Sequence, residues 1–163
     1  MITLEPVLDS ASPASVELQA SILNSHPAFN LMVLHKELIT PEEITKENKQ
    51  NVLEMGEKLL FIKENRQSIG IIAYLPSNPG DKHCWIGLFI VHRGFARLGI
   101  GSIALHAFER RLKQENVTKT RLAVQLENLI GASFWHKSGY TNIKSTKDQH
   151  GNRVNVYEKE LVR

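Results

Sequence analysis

Val91-His-Arg-Gly-Phe-Ala-Arg-Leu-Gly-Ile-Gly-Ser102 is the stretch on which the fold turns. Just before it, Trp85-Ile-Gly-Leu-Phe-Ile-Val91 is a β-branched and aromatic run of strand length. Just after it, Ile103, Ala104, Ala107, Phe108, Arg111 and Leu112 recur at helical spacing, with Gly101 and Ser102 at the start. The order is strand, glycine-punctuated basic loop, helix. At such a helix N-terminus, unpaired backbone N–H groups and the positive end of the dipole both face outward and favour an anion such as phosphate. Glycine lets the ligand approach the backbone where a Cβ would block it, and Arg93 and Arg97 add permanent charge. A plainer reading, a helix cap beside two surface arginines, also accounts for the local sequence.

Three phosphate-binding templates compete for these glycines. Gly94 and Gly99 have P-loop spacing, but Ile100 and Gly101 stand where Lys and Ser/Thr are required, so an NTPase is not expected. Gly99-Ile-Gly101-Ser-Ile-Ala104 fits the dinucleotide pattern. In that fold, however, the glycines follow the strand directly within a long βαβ series. Here His92 to Leu98 intervene, and too little chain follows for the six-stranded fold.

The third template fits better. The segment resembles motif A of the GNAT superfamily of N-acetyltransferases, in which a strand ending in Val leads to Gln/Arg-x-x-Gly-x-Gly/Ala. Val91, Gly99, Ile100 and Gly101 match, whereas Ala96 replaces the usual Gln or Arg and Arg97 stands where glycine is common. A second resemblance follows in the correct order. Leu122-Ala-Val-Gln-Leu126 alternates like a strand, and Asn128-Leu-Ile-Gly-Ala-Ser-Phe-Trp-His-Lys-Ser-Gly-Tyr140 is similar to the family's motif B. Asn128, Phe134, Lys137, Gly139 and Tyr140 match in type and spacing; read alone, Asn128 is a helix N-cap and the aromatics are core.

The resemblance implies a mixed α/β (α+β) fold over one domain, residues 1–163. Its twisted sheet has about seven strands, splayed between the fourth and fifth, with about four helices. It also implies acetyl-CoA as co-substrate. Phe89, Ile90 and Val91 would bind the pantetheine arm and polarise the thioester, and the amides of Arg97, Leu98, Gly99, Ile100, Gly101 and Ser102 would take the phosphates. Asn128 would contact the pantetheine by its amide, with Phe134 and Lys137 of the same motif nearby.

Acetyl transfer to an amine needs a neutral amine, a polarised carbonyl and a protonated leaving thiolate. The family's usual tyrosine acid is here Trp135, whose indole N–H is not a useful acid, and Trp85 stands where some members carry a base carboxylate. Strand alternation puts His83 on the face of Trp85, making it the candidate to accept the amine proton, directly or through water. His26, Phe29 and His35 fall in the region that caps the acceptor site in this family. Cys84 alternates to the opposite face and is expected to pack in the sheet.

The remaining properties suit one small enzyme. The chain has 163 residues, 42% apolar and 23% charged, enough for a substantial core. It has a single cysteine, no zinc spacing, and therefore no expected disulfide or metal. A net charge of +3 and pI near 9.0 suit an anionic coenzyme; the basic residues are spread out, and no nucleic-acid motif is present. No apolar run is long enough to span a membrane and the start lacks signal-peptide character, so a cytoplasmic monomer or homodimer is expected.

Along the chain, Ile2 to Leu8 reads as a strand, Pro13 to Leu23 as a helix capped by Ser12, and His26 to Asn30 as a break. Leu31 to Leu38 and Thr40 to Met55 read as helices, the latter ending at Gly56. Lys58 to Lys63 with Ser68 to Leu75, and Tyr140 to Thr146 with Asn152 to Leu161, read as hairpins. The closing segment resembles that of members acting on small amines, of phosphinothricin or polyamine type. The expected acceptor is therefore a small primary amine, with a protein acceptor or a non-catalytic acetyl-CoA sensor as alternatives.

Overall fold

Helices start in this chain where a side-chain oxygen and a proline coincide. Ser12 Oγ accepts from Ser15 N–H with Pro13 in the first turn, and Thr40 forms a capping box with Glu43 ahead of Pro41. The computed structural model describes residues 1–96 and 98–162. In chain order the elements are β1 (Ile2–Pro6), α1 (Pro13–Leu23), α2 (Pro27–Leu34), α3 (Pro41–Met55), β2 (Lys58–Glu64), β3 (Gln67–Leu75) and β4 (Cys84–Val91), then α4 (Ile100–Gln114), β5 (Lys119–Gln125), α5 (Leu129–Lys137), β6 (Thr141–Lys147) and β7 (Arg153–Glu160). A 3₁₀ turn, Arg93–Phe95, follows β4.

The described residues form five α-helices, where about four were expected from the sequence. The helix expected over Leu31 to Leu38 is α2, and it begins earlier: His26-Pro27, read as a break, is its start, because proline in the first turn loses no helical hydrogen bond. The helix then stops at His35, in the left-handed region at φ 64°, short of the expected Leu38. The opening strand likewise ends at Pro6 instead of Leu8.

The seven strands form one sheet in the order β1-β2-β3-β4-β5-β7-β6, antiparallel except for β4 against β5. Leu59 to Ile62 and Ile69 to Tyr74 are buried continuous runs, which suits strands covered on both faces. On one face Ile100, Ala104, Leu105, Phe108 and Leu112 of α4 and Trp135 of α5 pack with Leu60, Ile72, Ile86 and Leu122. On the other, Ile22 of α1 and Phe29 of α2 meet Leu59, Phe61, Ile71 and Ile90. α3 packs on α1 through Val16 and Ile44. Ile103, counted with the buried stripe from its spacing, is 54% exposed, because α4 turns Ile100 and Leu105 inward instead.

Candidate active site

Among the described residues β4 and β5 are the only parallel pair, and they pair over Cys84–Ile86 against Thr120–Leu122 alone. Beyond Ile86 the two strands part, so Gly87 to Val91 present toward the gap a backbone edge that β5 leaves unpaired, with the Val91 carbonyl met by His26. The register of β3 on β4 jumps from Ala73↔Leu88 to Tyr74↔Ile86, which leaves Gly87 as a bulge. That bulge reverses the alternation. Cys84 and Ile86 face α4, and so do Phe89 and Val91, while Leu88 and Ile90 face α1 and α2.

The α4 N-terminus stands at the end of this open edge. Gly99 caps it at φ +73°, a conformation that residues with a Cβ rarely adopt, and no side chain among the described residues caps the first-turn amides. α1, α3 and α5 have such caps from Ser12, Thr40 and Asn128. The first helical bond runs from Ile103 N–H to Gly99 C=O, so the amides of Ile100, Gly101 and Ser102 are left without intrahelical acceptors. Leu98 beside them is 67% exposed. A Cβ on Gly99 would meet open space, while one on Gly101 would touch Phe134 at 3.4 Å. Free amides at a helix N-terminus favour an anion. Arg97, expected to contribute one of them, lies outside the described residues.

The start of α5 forms the facing wall. Asn128 Oδ1 accepts from Gly131 N–H at 2.9 Å, which satisfies the cap and leaves Nδ2 without a partner among the described residues. The side chain folds so closely over Gly131 that a Cβ there would lie 2.5 Å from Nδ2. Phe134 stacks on Phe89 at 6.0 Å, joining this wall to the β4 edge. Trp135 is 8% exposed and packs edge-on against Phe89 at 5.6 Å and Tyr140 at 5.0 Å. Lys137 is exposed in the last turn. Motif B thus supplies a cap, an aromatic wedge and a donor.

Trp85 sits at the other end of β4, where it is still paired with β5, and His83 just precedes the strand. Phe89 is roughly 13 Å further along the strand from Trp85. The Trp85 indole donates to Asp81 Oδ2 at 2.8 Å, and His83 N–H donates to Asp81 Oδ1 at 2.9 Å. Arg121 Nη1 lies 3.4 Å from Asp81, and its Nε bonds Glu158 at 2.7 Å. Burial raises the Asp81 carboxyl pKa, but these donors and Arg121 outweigh it and hold the group below its ordinary value. Glu158 is lowered in the same way, burial being outweighed by Arg121 and Lys119. The Asp81–Arg121–Glu158 cluster was not legible in the sequence, since it exists only through the Trp85↔Arg121 register. Cys84 faces α4, buried, and burial pushes its thiol up to about 12, which disfavours the thiolate.

α2 reaches both sides of the gap. At its start, His26 Nε2 lies 2.6 Å from the Val91 carbonyl oxygen; at its end, His35 Nε2 bonds Asn152 Oδ1 at 2.8 Å, and Asn152 Nδ2 donates to Val33 C=O. His26 was placed by its sequence only in a capping region. The sign of something more was the His-Pro pair, which marks a helix start.

Comparison with known proteins agrees with this geometry. Among solved structures, an acetyltransferase from Thermus thermophilus superposes with a TM-score of 0.79 at 17% identity, over 99% of this chain and 97% of that one. A Salmonella typhimurium acetyltransferase that modifies the N-terminal serine of ribosomal protein L7/L12 gives 0.78 at 16% identity, over 99% and 95%. Spermidine N-acetyltransferase from Vibrio cholerae, in complex with CoA and spermine, gives 0.76 at 11%, over 98% and 95%. These likenesses are of fold, and no curated protein matches the sequence. The family model for the acetyltransferase (GNAT) family matches residues 26–140, which hold the α2 start, the open β4 edge, the α4 cradle and the α5 wall, and to that family the chain belongs.

Proposed function

We propose that the protein is an acetyl-CoA-dependent N-acetyltransferase that acetylates a small primary amine by direct attack in a ternary complex. The observation that carries this reading is the coincidence, at one gap, of an open strand edge, an uncapped helix N-terminus and a free amide on the facing wall. The pyrophosphate sits on the amides from Leu98 to Ser102, with Arg93 and Arg97 supplying charge. The pantetheine arm runs along Phe89 to Val91 as an added strand and receives the Asn128 Nδ2 donor. Backbone N–H groups of that edge polarise the thioester carbonyl.

The amine nitrogen attacks this carbonyl, the C–N bond forms, the C–S bond breaks, and the amine loses one proton. From the far end of β4, His83 reaches that proton only through water. With Trp135 buried among aromatics, the thiolate takes its proton from solvent. General acid–base catalysis is typically worth about 10²- to 10⁴-fold, so a modest turnover goes with this arrangement. The choice of a small acceptor rests on the resemblance of the closing hairpin to that of members acting on small amines.

Release of coenzyme A thiol from acetyl-CoA, followed across primary amines, polyamines and peptides with free N-termini, tests the proposal. Acetyl-CoA-dependent release with at least one small amine is expected. Release with peptides alone would move the acceptor to protein, and tight acetyl-CoA binding with no release from any of them would point to a sensor.

A further inference from the structure

The peptide that joins Val91 to His92 is fixed from both sides. His92 N–H donates to Ile69 C=O of β3 at 2.6 Å, so this bond points toward the paired edge of β4. In a trans peptide the carbonyl points the opposite way, and the Val91 oxygen therefore faces the gap between β4 and β5. That is where the imidazole of His26 meets it, Nε2 lying 2.6 Å away. A carbonyl can only accept, so Nε2 is the protonated nitrogen. One residue earlier, Ser25 Oγ accepts from Arg93 N–H at 3.1 Å, at the first residue of the turn that leads to the α4 cradle. The corner between α1 and α2 is thus stapled to the end of β4 by two hydrogen bonds, one on each side of His92.

Resting on the reading that acetyl-CoA occupies this gap, we propose that His26 is a positioning residue of the transfer site. By holding the Val91 carbonyl, it sets the direction of the last β4 groups that take the pantetheine arm. It also ties the coenzyme edge to α2 on the acceptor side. Its effect acts through Val91, and it does not reach the phosphates, which are held by amides of the α4 turn.

His26→Ala removes the donor, whereas His26→Gln keeps an N–H donor at similar reach. Each variant and the unaltered protein are titrated calorimetrically with acetyl-CoA and with adenosine 3′,5′-bisphosphate, which lacks the pantetheine arm, and each is checked by thermal melt. His26→Ala is expected to weaken acetyl-CoA binding by about three- to tenfold, the effect of one ordered hydrogen bond. The bisphosphate should be unaffected, and His26→Gln should bind acetyl-CoA nearly as the unaltered protein does. Equal weakening of both ligands, no weakening of either, or failure of His26→Gln to restore binding would each overturn the role of His26. An unaltered, folded protein that does not bind acetyl-CoA would overturn the coenzyme reading, and this role with it.

Discussion

At Asn128 one amide caps α5 with Oδ1 while Nδ2 has no partner among the described residues, and it is this Nδ2 that is proposed to meet the coenzyme. The two are separable by substitution. Asn128→Asp keeps an acceptor at the cap and removes the donor, so its melting temperature should stay near that of the unaltered protein while acetyl-CoA binds more weakly by titration. Asn128→Ala should lose both, with about 1 kcal/mol of stability going with the cap. Glu57 offers a test of a different kind. Burial, then the nearby Glu47 charge, raise its pKa from 4.5 to about 7, outweighing the Asn51 hydrogen bond. Between those values the folded state holds a proton that the unfolded state has released, so stability falls as pH rises through that window. Glu57→Gln should leave the melting temperature at pH 4 nearly unchanged and raise it at pH 8. A gain confined to acid pH would contradict this assignment.

The α4 turn was largely legible in the sequence because glycine at Gly99 is a backbone requirement written in residue type, whereas a Cβ at Gly101 would make only an ordinary contact. The structure adds the reason, a positive φ at Gly99 and first-turn amides without a side-chain cap. Gly101→Asp would place a carboxylate where the phosphates are proposed to sit. Its Cβ meets only Phe134, at 3.4 Å, so the fold should survive while acetyl-CoA binding falls below detection in a titration. α2 was misread for an equally physical reason. A proline ends a helix from within but starts one from its first turn, and sequence spacing alone does not say whether the second helix starts at His26-Pro27 or only after it. The Gly87 bulge was illegible too. It reverses which residues share a face along β4, so a period of two counted from Trp85 gives the wrong face for Phe89 and Val91.

Across the whole molecule, the sheet holds together in two parts that touch through three residue pairs at the base of the gap. Below that base, Tyr140 Oη bonds Thr120 Oγ1 of β5 at 2.8 Å and Glu109 of α4 at 3.1 Å, while Lys159 of β7 pairs with Glu109 at 2.9 Å. This network fixes the second part against α4, away from the α4 N-terminus where the phosphates are proposed to sit. Tyr140→Phe should therefore cost about 1–3 kcal/mol in a denaturant melt by orphaning the buried groups that bond its hydroxyl, with acetyl-CoA affinity little changed. The arrangement of the two parts was implied by a resemblance of motifs, because a three-pair parallel contact leaves no periodic trace in either strand. Whether the gap receives acetyl-CoA is read by calorimetric titration of the protein with acetyl-CoA, with NAD and ATP as competitors in the same salt. Saturable micromolar binding that neither competitor displaces is the predicted result. A folded protein that shows no binding, or that prefers NAD or ATP, would contradict the account.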